Sequence, residues 1–369
     1  MGRDVYAGVM SGTSLDGIDA VVADFSPAQG LCRTLGAAHV AMPDLLRKTL
    51  LDLQTRGDDE LARAAQASVE LADLYADSVI GAARSAGIAL HDVLAAGVHG
   101  QTVRHRPDAG WTIQLNDPAR ISERLVVAVV ADFRRRDLAA GGQGAPLVPA
   151  FHQALFARDD RARAVLNLGG IANLTLLTPG APVRGFDTGP GNVLLDAWHA
   201  RHRAGALDAG GEWAATGHVD DRLLAVLMGE TYFRAPPPKS TGRDVFHMGW
   251  LEQALARHGA TVASVDVQAT LVRLTVQTVV EALRREMPRI DDMLVCGGGA
   301  RNATLMSALA AELDACTVVP TSAEGVAIDQ VEALAFAWLA RETLAGRPGN
   351  VPAVTGARGL RVLGGIYPK

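Results

Sequence analysis

The chain has 369 residues, 49% of them apolar and 20% charged, and Lys+Arg 35 against Asp+Glu 40 leave a formal charge of -5. At roughly 100–200 residues per domain, that length argues for two domains with ample core. No basic run exceeds Arg134-Arg135-Arg136, which counts against a nucleic-acid face and favours a partner that is a small molecule.

The opening reads as strand Val5–Met10, a tight turn over 11–17 and strand Ile18–Phe25, with glycines where the backbone must reverse. A helical stripe over Leu61–Ala86 precedes buried strands at Leu94–Val98 and Leu125–Phe133. The small-residue stretch Ala139–Pro149 reads as a loop or hinge, so a first domain is expected over residues 1–150. A second glycine-turn hairpin, Val165–Leu177, suggests that the halves are built alike. Strand Val183–Phe186 and a turn over 187–191 follow, then a helix whose N-cap is Asn192. The remainder alternates: helix Leu271–Met287, strand Met293–Cys296, helix Arg301–Leu313, strand Thr317–Val319 and helix Asp329–Leu344. Strands alternating with helices after each hairpin indicate an α/β protein of two layered lobes. The second lobe is expected over 151–328, and the C-terminal helix and tail, 329–369, are expected to complete the first.

Several common chemistries are excluded by inspection. None of the lysines, Lys48, Lys239 and Lys369, follows a glycine, so a P-loop is absent. There is no His-Arg-Asp kinase loop, no H-E-x-x-H and no G-x-S-x-G elbow. Cys32, Cys296 and Cys316 are odd in number and widely spaced, which suggests neither a disulfide framework nor a thiolate zinc site and fits a reducing cytoplasm. No secretory leader or membrane-length apolar run is read, so neither export nor membrane contact is expected.

Polar turns remain. In Ser11–Asp19, backbone N–H groups and hydroxyls could wrap a polyphosphate, or the segment could be an ordinary hairpin loop. Beside phosphate, Asp16 and Asp19 would need a Mg²⁺ ion between the charges. Asp187 ends an apolar strand before a Gly-Pro-Gly turn, where α/β sheets usually place chemistry, and is either a general base or a turn-forming Asp. Gly297-Gly298-Gly299 lets a backbone approach a flat ring or ribose, or simply connects a strand to a helix. The segment His99–His105 could bind sugar hydroxyls; its histidines lack a third ligand for a metal.

Together these pieces resemble the anhydro-N-acetylmuramic acid kinase family of the sugar kinase/Hsp70/actin superfamily. The matching segments are Gly8-Val-Met-Ser-Gly-Thr-Ser-Leu-Asp-Gly-Ile-Asp19, His99-Gly-Gln-Thr102, Gln114-Leu-Asn-Asp117, Ala131-Asp-Phe-Arg134, Asn167-Leu-Gly-Gly-Ile-Ala-Asn173, Phe186-Asp-Thr-Gly-Pro-Gly-Asn192, Lys239-Ser-Thr-Gly-Arg243 and Asp329-Gln-Val-Glu-Ala333. The resemblance implies a two-lobed, actin-like (ribonuclease H-like) ATPase fold with ATP and Mg²⁺ in an inter-lobe cleft. It implies that 1,6-anhydro-N-acetylmuramic acid, ATP and water give N-acetylmuramic acid 6-phosphate and ADP, in cell-wall recycling.

By the same resemblance Asp187 is the catalytic base. Gly12, Thr13, Ser14, Leu15, Asp16, Gly17, Ile18 and Asp19 line the phosphates. Gly169 and Gly170 form the second phosphate turn, and Gly297, Gly298 and Gly299 flank the adenosine. Thr102, Arg134 and Glu332 bind the amino sugar, with Arg134 suited to its lactyl carboxylate. A cytoplasmic homodimer is implied, and closure on substrate is expected, hinged near Gly141–Pro149 and before the Asp329 helix. The rival readings are another sugar kinase with no bridge to open and an actin-like ATPase that drives assembly.

Overall fold

The structure, a computed structural model, describes residues 4–12, 15–26, 31–242 and 245–369. The chain divides into two compact units, Met1–Leu155 with Gln330–Lys369, and Phe156–Asp329.

The first unit opens on the antiparallel hairpin of β1 (Val5–Ser11) and β2 (Gly17–Asp24), to which β3 (Arg33–Ala41) adds an antiparallel edge. Helix Glu60–Ala86 then returns the chain to β4 (Ala95–Val98), parallel to β1. A separate two-stranded hairpin follows, β5 (Gln101–Arg106) and β6 (Trp111–Leu115). The strand expected over Leu125–Phe133 is shorter than its apolar run. Asp117 caps a helix Pro118–Leu125, which Val126 ends at φ 54°, and only β7 (Ala128–Ala131) pairs, parallel to β4.

β1 is buried on both faces, as parallel sheets with helices on either side are. Val5, Ala7 and Val9 pack with Leu71, Tyr75 and Val79 of the 60–86 helix. Between them Gly8, in register with Gly97 of β4, turns to the other face, where helix Val331–Leu344 lies. A Cβ on Gly8 would sit 1.9 Å from Ala333 O, and one on Gly97 would sit 2.0 Å from Phe336 O. Only glycine allows this approach of backbone to backbone.

The second unit repeats the plan with β8 (Arg163–Leu168), β9 (Ile171–Leu177), β10 (Arg184–Pro190), β11 (Asp292–Cys296) and β12 (Thr317–Pro320). Its sheet order is β10-β9-β8-β11-β12; the first unit has β3-β2-β1-β4-β7, with a short β13 (Gly365–Tyr367) antiparallel to β7 at the edge. Each sheet is thus three antiparallel strands followed by two parallel ones, in the order third, second, first, fourth, fifth. The halves are built alike. Helices Val193–His202, Ser264–Glu286 and Ala303–Glu312 cover the second sheet, and the middle one starts before the expected Leu271. Among the described residues no helix is long and apolar enough to cross a membrane.

Candidate active site

Gly185 and Phe186 of β10 are both buried, Phe186 in the core of the second unit, and the partly buried Asp187 follows on the same strand. The expected turn over 187–191 is instead more strand. β10 runs through Asp187 to Pro190, with a bulge between Asp187 and Gly189 where the register against β9 shifts. A bulge re-aims a side chain out of the ordinary alternation.

Residues 232–241 hold Asp187 at three points: its N–H donates to Lys239 O (3.2 Å), its C=O accepts from the Tyr232 hydroxyl (2.9 Å) and its Oδ2 accepts from the Thr241 N–H (3.0 Å). Oδ1 has no hydrogen-bond partner among the described residues. Burial pushes the carboxyl up to about 6, against the opposing pull of the Thr241 N–H and the Lys239 ammonium. At neutral pH such a group is mostly ionised yet far more basic than an ordinary carboxylate, which suits a general base. Lys239 Nζ donates to the carbonyls of Tyr232 (3.1 Å) and Phe233 (3.3 Å) and lies 4.6 Å from the Tyr232 ring centre. Burial, and then Arg285, push Lys239 down to about 8. The Phe233 ring stacks on Phe246 at 5.4 Å, anchoring this segment in the core.

The glycine turns of the second unit approach one another through Leu168 and Asn192. Gly169 and Gly170 join β8 to β9, and their carbonyls accept from the amides of Asn192 (2.9 Å) and Gly191 (2.9 Å). Asn192 precedes the 193–202 helix, but its side chain does not cap it; Nδ2 donates to Leu168 O (3.0 Å). That bond ties the helix entry to β8 and so to the glycine turn. Gly297, at φ 80°, leaves β11 so close to β8 that a Cβ would sit 2.4 Å from Asn167 Oδ1. A short 3₁₀ turn holding Gly298 and Gly299 separates it from the following helix, which starts at Ala303 and is capped by Asn302. All three segments therefore sit at the carboxyl ends of β8 and β11, where open α/β sheets bind ligands.

In the first unit, Gly12 O accepts from Leu15 N (3.2 Å) and from Gln101 Nε2 (3.2 Å). Leu15 and Ile18 are fully buried, so their side chains belong to the core of the first unit. Asp16 is exposed, with Oδ1 accepting from Gly17 N–H (3.1 Å), and Asp19 Oδ1 pairs with His39 Nδ1 at 2.8 Å. Thr13 and Ser14 lie outside the described residues, as does Arg243.

Arg134, just after β7, donates from Nε to His99 Nε2 (2.9 Å) and from Nη1 to Gly144 O (2.8 Å). Glu332, on the 331–344 helix, is close enough to Arg134 and Asp19 to feel both charges. Burial and Asp19 raise its carboxyl, and Arg134 opposes them. Burial lowers Arg134 to about 10, while Glu332 and Asp137 resist. Arg134, Glu332 and Asp19 thus form one charged cluster. Thr102 stands on the separate β5–β6 hairpin, where its hydroxyl accepts from Gln114 Nε2 (3.1 Å). Sequence reasoning set His99 in a sugar-binding segment without a role of its own, and assigned none to Tyr232, Lys239 or Thr241. The rarity of lysine in this chain is a signal that could have singled out Lys239; nothing in the sequence marks Tyr232.

Two units with this shared strand order, each opening on a glycine-turn hairpin, define the ribonuclease H-like ATPase class that includes actin and sugar kinases. Residues 4–369 match the family model for anhydro-N-acetylmuramic acid kinase. The chain belongs to that family. An anhydro-N-acetylmuramic acid kinase from Cupriavidus metallidurans is 51% identical over 99% of this chain and 98% of its own. Another, from Bordetella petrii, is 54% identical over 99% of this chain and 96% of its own. Among solved structures, a ROK family glucokinase from Streptomyces griseus aligns with 92% of this chain and 99% of its own at 14% identity and a TM-score of 0.43, too distant to bear on the site.

Proposed function

We propose that this chain catalyses the reaction its family is named for. Water adds to C1 of 1,6-anhydro-N-acetylmuramic acid, the C1–O6 bond breaks, and O6 takes the γ-phosphoryl group of ATP. The products are N-acetylmuramic acid 6-phosphate and ADP, within peptidoglycan recycling. The state of Asp187 carries this reading: a carboxyl raised to about 6, fixed through Oδ2 by Thr241 and with Oδ1 unengaged among the described residues. It takes the proton of the attacking water. Phosphoryl transfer asks mainly for placement and charge stabilisation. Gly12 to Asp19 and Gly169-Gly170 are assigned to the phosphates, and Gly297-Gly298-Gly299 to the adenosine. Arg134 takes the lactyl carboxylate through its guanidinium edge, with Glu332 and Thr102 on the sugar.

Mg²⁺ is held through few protein carboxylates plus phosphate oxygens and waters. The exposed Asp16 carboxylate and Asp19, half in solvent beside His39, fit that donor set. When bound there with ATP, the ion would neutralise phosphate charge. We assign the protein to the cytoplasm, which agrees with Cys32, Cys296 and Cys316 being in no disulfide among the described residues. The family resemblance supports a homodimer, which sedimentation would test.

The decisive experiment incubates the protein with ATP and the anhydro sugar in ¹⁸O-water. Label at the anomeric oxygen of a sugar 6-phosphate is expected. Label in inorganic phosphate instead, with the sugar unchanged, would overturn the assignment.

A further inference from the structure

The Thr241 hydroxyl oxygen is buried and has no hydrogen-bond partner among the described residues. Yet the amide N–H of the same residue donates to Asp187 Oδ2 at 3.0 Å. Buried hydroxyls are nearly always paired, so one left open calls for an explanation. This one belongs to the residue that grips Asp187 through Oδ2, and the other oxygen of that carboxylate, Oδ1, likewise has no hydrogen-bond partner among the described residues. Segment 232–241 is also tied to the Asp187 backbone at Tyr232 and Lys239.

A water molecule that attacks carbon must point one lone pair along the line of attack, which requires both of its hydrogens to be held. A single carboxylate oxygen holds one. We infer that Thr241 is a second catalytic residue, whose hydroxyl oxygen accepts the other hydrogen of the attacking water and so aims it at C1. The inference rests on Asp187 being the base. The balance is simple. The water oxygen bonds to C1, and the C1–O6 pair stays with O6. O6 then bonds to the γ-phosphorus as ADP leaves. One water proton moves to Asp187 Oδ1; Thr241 gains and loses none.

The test compares Thr241→Val, which keeps the shape and the backbone N–H, with Thr241→Ser, which keeps the hydroxyl. Asp187→Asn is run beside them. Reactions contain ATP, the anhydro sugar and a fixed fraction of methanol, which brings one hydroxyl hydrogen where water brings two. We expect Thr241→Val to lose roughly 10- to 100-fold in kcat with KM for ATP unchanged within two-fold, and Thr241→Ser to stay within about three-fold of the parent. We also expect the ratio of methyl glycoside to free sugar 6-phosphate to rise about ten-fold in Thr241→Val, because the second hydrogen no longer matters.

A Thr241→Val enzyme with normal kcat overturns the proposal, as does one that is slower with an unchanged methanol ratio or affected only in KM for ATP. If Thr241→Val does not fold, Thr241→Ala is read by the same criteria. An inactive Asp187→Asn beside a normal Thr241→Val removes this inference alone. An active Asp187→Asn removes the base assignment and this inference with it.

Discussion

Arg134 Nε donates to His99 Nε2 at 2.9 Å, so the imidazole must carry its proton on Nδ1 and stay neutral. Burial and the guanidinium itself push His99 well below its ordinary range. With Nη1 spent on Gly144 O, Nη2 makes no hydrogen bond among the described residues and is the side on which the proposed lactyl carboxylate would pair. His99→Phe keeps a ring against Phe336, 4.8 Å away in the native pair, but removes the acceptor that orients the guanidinium. Its KM for the sugar should rise about ten-fold, the worth of one charge-assisted hydrogen bond, while KM for ATP holds. Arg134→Lys loses the fork altogether and should cost about a hundred-fold in the same constant. Steady-state kinetics with each substrate varied in turn would settle both, and a change confined to KM for ATP would contradict the assignment.

The pH dependence follows from Asp187. Only the ionised carboxylate accepts a proton, so kcat should fall about ten-fold per pH unit below about 6. The Lys239 ammonium favours the carboxylate. Removing it in Lys239→Met should therefore move the acid limb to higher pH, while Arg285 Nη2 still holds the Phe233 carbonyl in place. A pH–rate profile of the variant that coincides with the parent's would rule out that coupling.

The same carboxyl makes a stability prediction of opposite sense. Its ordinary value is 3.8 and its folded value about 6, so between those limits the folded state holds the proton that the unfolded chain releases. The wild type must then lose stability as pH climbs from about 4 to about 6. The loss is roughly 2 kcal/mol once the partial exposure of the side chain is allowed for. Asp187→Asn does not titrate, and its amide oxygen can still accept from Thr241. The variant should melt above the wild type at pH 7.5 and together with it near pH 4. Calorimetry at the two pH values is the check.

Much of the fold was legible because burial patterns are local. The hairpins at Val5–Asp24 and Arg163–Leu177 announce themselves by apolar runs broken at glycines, and the resemblance of the turns is what singled out Asp187 and Arg134 as candidates. What stayed hidden depends on contacts distant in sequence. Asp187 sits beside a bulge because β9 fixes a register that no local pattern encodes. His99 and Arg134 are far apart in the chain and meet only because β4 and β7 are neighbours in one sheet. Thr241 lies in a polar stretch after consecutive prolines, where periodicity says nothing, and its significance appears only once its amide is found on Oδ2 of Asp187. Apolar runs mislead in their own way: Val126 has the side chain of a strand residue but takes the left-handed position that ends a helix.

Gly8 offers the sharpest test of how the first unit positions Glu332. The helix that carries this carboxylate presses its backbone onto β1 and β4, and a Cβ on Gly8 would meet Ala333 O at 1.9 Å and Ala337 N at 2.5 Å. Neither atom can rotate away, since both belong to the helix backbone, so Gly8→Ala must lift the helix from the sheet. Overpacking of this kind costs about 3 kcal/mol or more. Because Glu332 adjoins Ala333, the displaced helix should also raise KM for the sugar. Gly365→Ala is the control in the same unit, with no atom within 4 Å of its new Cβ, and should change stability by no more than about 0.5 kcal/mol. Urea unfolding midpoints for the two variants should differ widely; equal midpoints would mean that the close approach at Gly8 does not set the position of the Glu332 helix.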